Sequence, residues 1–377
     1  MAISIRAGDA LACLRAMPAD SVHCCVTSPP YWGLRDYGTP PQIWGGDPGC
    51  AHQWLVETRK GMSGGTATAK VHIKGSANFQ AFGATKHAFC RHCGAWRGSL
   101  GLEPDYRLYV DHLVAVLREV RRVLRRDGSL WLVLGDCYAS GGGKAKRAGG
   151  GAQGDNWQGP ATHPNRMPQP GLKPKDLVGI PWRVAFALQD DGWWLRRDNV
   201  WNKLNPMPES CKDRCTSAHE YVFHLSKSAR YYYDGEAIKE PCASSPSDLR
   251  KMAEGLDRIG GKHKTLSDRL VRANSASKIG RKRAVGDSSG RNKRSVWTIA
   301  TAPFPGAHFA TYPPALVEPC ILAGCPAGGT VLDPFLGAGT TALVADRLGR
   351  HCIGIELSPA YAAMARRRLG APALAAA

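Results

Sequence analysis

The chain has no apolar run approaching the roughly 18 residues that a membrane span needs, although 43% of its 377 residues are apolar. A membrane protein is thereby excluded, and no membrane partner is expected. Internal repeats are absent as well, which removes solenoids and coiled coils. Acidic residues are scarce: 31 Asp and Glu face 50 Lys and Arg, for a formal net charge of +19. Such a surplus calls for a polyanionic partner. The opening Met-Ala-Ile-Ser-Ile-Arg carries neither the charged nor the apolar segment of an export signal, so a reducing, cytoplasmic setting is expected. Thirteen cysteines in that setting do not make a secreted disulfide scaffold. Clustered ones point to metal and scattered ones to core packing. No feature of the chain sets an oligomeric state.

What is present is alternation. Residues 3–6 read as a strand, 10–17 as a helix stopped by Pro18, and Val22–Thr27 as an apolar strand cut off by Pro29 and Pro30. Periodicity then dissolves from about 38 to 101, a stretch expected to insert on the sheet's edge. A helix is predicted over 109–124, ended by Asp127 and Gly128, then a buried strand over 129–134. Residues 140–175 read as a mobile Gly-, Pro- and Lys-rich loop. After it come a helix near 176–189 and strands near 193–201 and 221–225. The last quarter gives helix 313–323, strand Thr330–Asp333, helix 339–348, strand His351–Glu356 and helix 359–369. Strands and helices in alternation imply a doubly wound parallel α/β sheet.

Residues 331–341, Val-Leu-Asp-Pro-Phe-Leu-Gly-Ala-Gly-Thr-Thr, are a strand feeding a glycine turn feeding a helix. Gly337 and Gly339 allow a sharp turn and a close approach to a ligand. No Gly-Lys-Ser/Thr follows, so this is no Walker loop, and the third glycine of a dinucleotide fingerprint is missing. About twenty residues on, Glu356 ends the next strand, where an acid can accept hydrogen bonds from two ribose hydroxyls. S-adenosylmethionine fits better than NAD, because it has no pyrophosphate to cradle. Asp333 is expected to meet its ammonium group and Phe335 its adenine; Asp9, ending the first strand, is a weaker candidate for the adenine amine.

At the other end of the chain lies Ser28-Pro29-Pro30-Tyr31. Two prolines hold the backbone extended and remove two N–H donors. A hydroxyl, outward carbonyls and an aromatic face remain, a set that accepts hydrogens from an amine on a planar, extruded base. The Ser28 hydroxyl and the Pro29 carbonyl would take the two amine hydrogens, and Tyr31 would stack.

With both motifs in view, the chain resembles the β class of amino-group DNA methyltransferases. In that family an Asp/Ser/Asn-Pro-Pro-Tyr/Phe motif precedes the cofactor motif Asp-Pro-Phe-x-Gly-x-Gly-Thr, which residues 333–340 match without a mismatch. The resemblance extends over about 1–37, 104–136, 176–234 and 300–370. It implies a circularly permuted Rossmann-like fold, with Ser28, Pro29, Pro30 and Tyr31 catalytic. Asp9, Asp333, Pro334, Phe335, Gly337, Gly339, Thr340 and Glu356 would bind S-adenosylmethionine. The implied division is 1–37 as the catalytic half, 38–103 an insertion with a zinc knuckle, 104–239 the continuation of the catalytic sheet with the loop 140–175, 240–299 a target-recognition region, 300–370 the cofactor half and 371–377 a tail. The partners implied are double-stranded DNA and a cognate restriction endonuclease. Serine before Pro-Pro-Tyr leans toward cytosine N4 as the target; adenine N6 is the alternative. More distant readings are methylation of an RNA base or a protein amide, and a non-catalytic zinc-containing nucleic-acid-binding protein.

Two further features bear on partners. Cys50-Ala-His52 and Cys90-Arg-His-Cys93-Gly can each clasp one side of a tetrahedral zinc ion across a 37-residue gap, with His87 and His92 as competing ligands. Using all four positions for protein ligands makes such a site structural. Residues 248–294 hold fourteen Lys or Arg against five Asp or Glu. Among them Arg281, Lys282, Arg283, Arg291, Lys293 and Arg294 are the candidate DNA contacts, with Lys144, Lys146 and Arg147 on the glycine-rich loop as a second set.

Overall fold

The strand that feeds the glycine turn, Thr330–Asp333, lies inside an eight-stranded sheet although twelve of the fourteen described strands precede it in the chain. The computed structural model describes residues 2–55, 70–71, 79–80, 88–139, 164, 169–241, 290–302 and 312–370. Expectations for His87, Lys144, Lys146, Arg147, Arg281, Lys282, Arg283 and the tail fall outside the described residues. In chain order the strands are β1 Ile3–Ala7, β2 Val22–Thr27, β3 Gln42–Trp44, β4 Trp54–Leu55, β5 Lys70–Val71, β6 Phe79–Gln80, β7 Ala88–Cys90, β8 Trp96–Gly98, β9 Leu124–Leu134, β10 Trp194–Asn202, β11 His219–Ser226, β12 Val296–Thr298, β13 Thr330–Asp333 and β14 His351–Glu356. The helices are α1 Ala10–Arg15, α2 Tyr106–Val123, α3 Ile180–Asp190, α4 Pro314–Gly324, α5 Thr340–Arg347 and α6 Pro359–Arg368.

The large sheet runs β1-β14-β13-β2-β9-β11-β10-β12. Its first five strands are parallel, and Leu130 to Leu134 of β9 are buried without a break, so both faces are covered. The sheet is nevertheless mixed, which corrects the all-parallel expectation: β11 runs antiparallel to both β9 and β10. Reversal carries the first residues of β11 to the edge where the parallel strands end.

Local chemistry explains most boundaries. Asp9 caps α1 by accepting from the Ala12 N–H at 2.8 Å, and Asp105 caps α2 by accepting from Arg107 at 2.8 Å. Along α2, Leu113, Val116, Leu117 and Val120 are fully buried. Asp127 and Gly128 do not separate helix from strand: β9 already begins at Leu124. A Cβ at Gly128 would lie 3.0 Å from the His23 carbonyl oxygen, so this glycine serves close strand approach.

The insertion does not extend the sheet's edge. It folds into an antiparallel sheet of its own, β3-β8-β7-β4, and docks on α2. There the rings of Trp44 and Trp96 stack on His112 at centroid distances of 4.9 and 5.4 Å. Strands of two or three residues are too short to show a period, and two buried tryptophans supply the apolar anchor instead.

The chain divides into two compact units, Met1–Tyr233 with Ser295–Ala377, and Asp234–Arg294. The end of the expected 240–299 region therefore belongs to the large sheet, as edge strand β12. In the smaller unit Arg294 donates to Glu240 at 2.9 Å, and Arg291 lies 3.4 Å from the same carboxylate. Among the described residues no helix is long and apolar enough to cross a membrane.

Candidate active site

Strands β2 and β13 are neighbours, with Cys24 opposite Val331 and Cys25 opposite Leu332, all four buried. The two sequence motifs therefore leave the same sheet edge side by side. The Thr27 hydroxyl, just before one motif, donates to the Asp333 carboxylate of the other at 2.6 Å. Beyond that edge opens one cavity of about 840 Å³, a size usual for small-molecule sites. Ser28, Pro29, Pro30 and Tyr31 line it on one side. Pro334, Phe335, Gly337, Thr340 and Glu356 line it on the other, with Asp9 at the end of β1.

On the glycine side, Gly337 has φ 55° and its N–H donates to Glu356 Oε2 at 2.8 Å, while the Ser358 N–H donates to Oε1 at 2.8 Å. Each carboxylate oxygen keeps further acceptor capacity, and burial raises the Glu356 pKa. Gly339 and Asp333 are not on the wall. Gly339, φ 83°, opens α5, and a Cβ there would sit 2.9 Å from that of Ala365 on α6. Asp333 is fully buried behind the surface. Its carboxylate accepts from Thr27 and Thr341 at 2.6 Å each, from the Tyr312 hydroxyl at 2.9 Å and from the Phe335 N–H at 3.1 Å. The side chain caps the strand end, and burial raises its pKa. Tyr312, which the sequence reading missed, faces the cavity in front of it.

On the proline side, the Pro30 carbonyl is taken by the Tyr109 hydroxyl at 2.9 Å, and Gly33 N–H donates to the Gly101 carbonyl at 2.8 Å. Among the described residues no hydrogen bond reaches the Pro29 carbonyl. The Ser28 hydroxyl donates to the Tyr31 oxygen at 3.4 Å, and the Tyr31 hydroxyl donates to Glu220 at 2.7 Å. Glu220 in turn pairs with Lys203, whose ammonium lies 4.8 Å from the Trp201 ring centroid. Burial, then the nearby Glu220 charge, pushes the Tyr31 phenol well above its usual range, so it remains a donor. A Cβ on Gly135 would fall 2.7 Å from the Tyr31 ring; only a glycine leaves room for the ring here.

With this geometry in hand, comparison with known proteins is decisive. The model of the N6/N4 DNA methylase family matches residues 22–367. The chain belongs to that family. Among its relatives, the type II methyltransferase M.SmaI of Serratia marcescens is 38% identical over 363 residues, covering 96% of this chain and 89% of that protein. M.XycI of Xanthomonas campestris pv. cyanopsidis is 39% identical over 364 residues, covering 96% and 86%. A solved structure described as the cytosine-N4-specific PvuII DNA methyltransferase shares the fold, with TM-score 0.53 and 17% identity over all of this chain and 89% of that one.

Lys203 and Glu220 escaped the sequence reading as site residues, although the segments holding them contributed to the family resemblance. Their signal was indirect, since Glu220 reaches the site only because β11 is reversed. Cys50, His52, Cys90 and Cys93 gather with all four ligand atoms within 4.8 Å of one another. Arg291, Lys293 and Arg294 belong to the smaller unit.

Proposed function

We propose that the protein is a site-specific methyltransferase acting on the exocyclic N4 amine of cytosine in duplex DNA, with S-adenosylmethionine as methyl donor. The observation that carries this reading is the shared cavity: an amine-accepting turn and a glycine turn with a strand-end acid open onto one space. The residues present fit the donor. Glu356 has acceptor capacity for ribose hydroxyls, Gly337 lets the chain pass close, and Phe335 offers an apolar face to adenine. Pro334 and Thr340 complete that wall, and Asp9 stands near the adenine end. When bound, the donor supplies a methyl group on a sulfonium, an electrophile.

The chain's own residues prepare the amine. A base amine is a poor nucleophile because its lone pair is delocalised into the ring. Ser28 Oγ and the Pro29 carbonyl accept hydrogen bonds from its two N–H groups and restore electron density to nitrogen. Pro30 keeps that carbonyl fixed, and Tyr31 gives the extruded base a face to stack on, worth roughly 1–3 kcal/mol. Glu220 and Lys203 are positioning residues that hold the Tyr31 hydroxyl. Serine at the first motif position favours cytosine over adenine.

The net charge of +19 supports a DNA partner, with Arg291, Lys293 and Arg294 and the undescribed Arg281, Lys282 and Arg283 as candidate contacts. The type II naming of the relatives supports a cognate restriction endonuclease as a second partner. The test is to incubate the protein with duplex DNA and S-adenosylmethionine, digest to nucleosides and identify the product by mass spectrometry. N4-methylcytosine is expected. N6-methyladenine would overturn the base assignment, and no modified base would overturn the reaction.

A further inference from the structure

We propose that Cys50, His52, Cys90 and Cys93 bind one structural Zn²⁺, and that this ion braces the backbone of Pro30 and Tyr31 from behind. Three sulfurs and one imidazole nitrogen converge from two separate turns. The Cys50 and Cys90 sulfurs are 3.9 Å apart, and Cys93 Sγ lies 3.4 Å from His52 Nδ1. A tetrahedral zinc with ordinary bond lengths separates two thiolates by about 3.8 Å and a thiolate from an imidazole nitrogen by about 3.6 Å. The sulfurs are far beyond the roughly 2.05 Å of a disulfide.

The surroundings have the features of a metal knuckle. The His92 N–H points at Cys90 Sγ at 3.4 Å, which stabilises a thiolate. Gly94 turns with φ 73°, and its N–H donates to the Cys90 carbonyl at 3.0 Å. Gly46 lies so close that a Cβ would sit 2.8 Å from Cys93 Sγ, so the turn after β3 is pressed against the ligand set. His92 contributes its backbone and is not among the four gathered ligands. Two- and three-residue strands bury too little apolar area to hold themselves together, and a metal cross-link supplies what they lack.

From the ligands the contacts run to the cleft. Trp44 and Trp96 of the small sheet stack on His112, and His112 Nδ1 lies 3.1 Å from the fully buried Glu103. Glu103 accepts the Gly101 N–H at 2.8 Å, and Gly101 packs so tightly that a Cβ would be 3.1 Å from the Tyr31 carbonyl oxygen. The insertion thus forms a wall of the cavity, through Thr39, Gln42, Trp44 and Leu100, and backs the proline turn.

Elemental analysis of full-length protein prepared without chelator should find about one zinc per chain. Cobalt-exchanged protein should show tetrahedral d–d bands and thiolate-to-cobalt charge transfer. Cys90→Ser with Cys93→Ser should lose the metal, and His52→Cys should keep it. Metal-free wild type, an octahedral cobalt spectrum or full retention by the double variant would each overturn the site. For the bracing role, stripping the ion should speed amide exchange at Gly33 and Gly101 at least tenfold while β13 and β14 stay protected. Unchanged exchange at Gly33 with the ion gone would overturn it. None of these readouts depends on methyl transfer, so the site and the proposed reaction can fail separately.

Discussion

Two turns close on one cavity, and they are held in opposite ways. The turn after β13 is fixed by its own neighbourhood: Asp333, Thr341, Phe335, Gly337 and Glu356 satisfy one another within 24 residues, with Thr27 and Tyr312 completing the set. The turn after β2 is fixed from outside. Tyr109 holds the Pro30 carbonyl, Gly101 packs behind Tyr31, Gly135 makes room for its ring and Glu220 holds its hydroxyl. The first turn is part of the core and the second is a platform assembled by distant segments. Damage to the first should therefore appear as instability, and damage to the second as lost chemistry.

The largest effect should come from Asp333→Ala. It leaves three hydroxyls and one N–H without their buried acceptor, and a stability loss on the order of 3–5 kcal/mol is expected. Urea unfolding followed by tryptophan fluorescence measures it. An unchanged midpoint would erase the distinction between the turns, because Asp333 would then be only a surface-like ligand contact.

This difference also explains what was legible in the sequence. Strands β2, β13 and β14 have the predicted limits, because apolar runs bounded by Pro, Gly or an acid carry their own punctuation. The glycine side of the cavity was legible for the same reason, apart from the buried place of Asp333. The support of Tyr31 was not. Gly135 and Gly101 are ordinary loop glycines in sequence, and their meaning appears only when a ring or a carbonyl comes within 3.1 Å of the missing Cβ. The small sheet was hidden by its brevity, and the direction of β11 by the absence of any sequence mark that distinguishes antiparallel from parallel pairing.

Ser28→Ala should fall next in size, and on the other side of the comparison. Removing one acceptor from the amine should slow single-turnover methyl transfer about 10²-fold. Stability should change by less than about 0.5 kcal/mol, since the hydroxyl makes only a 3.4 Å contact with Tyr31. Calorimetry should find S-adenosylmethionine affinity near wild type. A parallel loss of folding, cofactor binding and activity would mean that the proline turn is as much core as the glycine turn. Full activity would remove Ser28 from the chemistry.

The smallest effect, and the sharpest for the comparison, concerns Glu220. Its carboxylate accepts from the Tyr31 hydroxyl at 2.7 Å and pairs with Lys203, and it stands on a different strand from every motif residue. If the proline turn is positioned from outside, Glu220→Ala should lower transfer roughly tenfold, the worth of one hydrogen bond to a charged group. Glu220→Gln should recover most of that loss, because an amide oxygen still accepts from Tyr31 although the charge opposite Lys203 is gone. The positioning role predicts where the loss appears. Capture of the extruded base, followed with 2-aminopurine at the target, should weaken in the Ala variant and not in the Gln variant. S-adenosylmethionine affinity should be unchanged in both. Equal losses in Ala and Gln would assign the effect to the Lys203 ion pair, and equal loss of cofactor binding would assign it to general packing of the cleft. Either result would detach Glu220 from Tyr31 and leave the proline turn held by Tyr109, Gly101 and Gly135 alone.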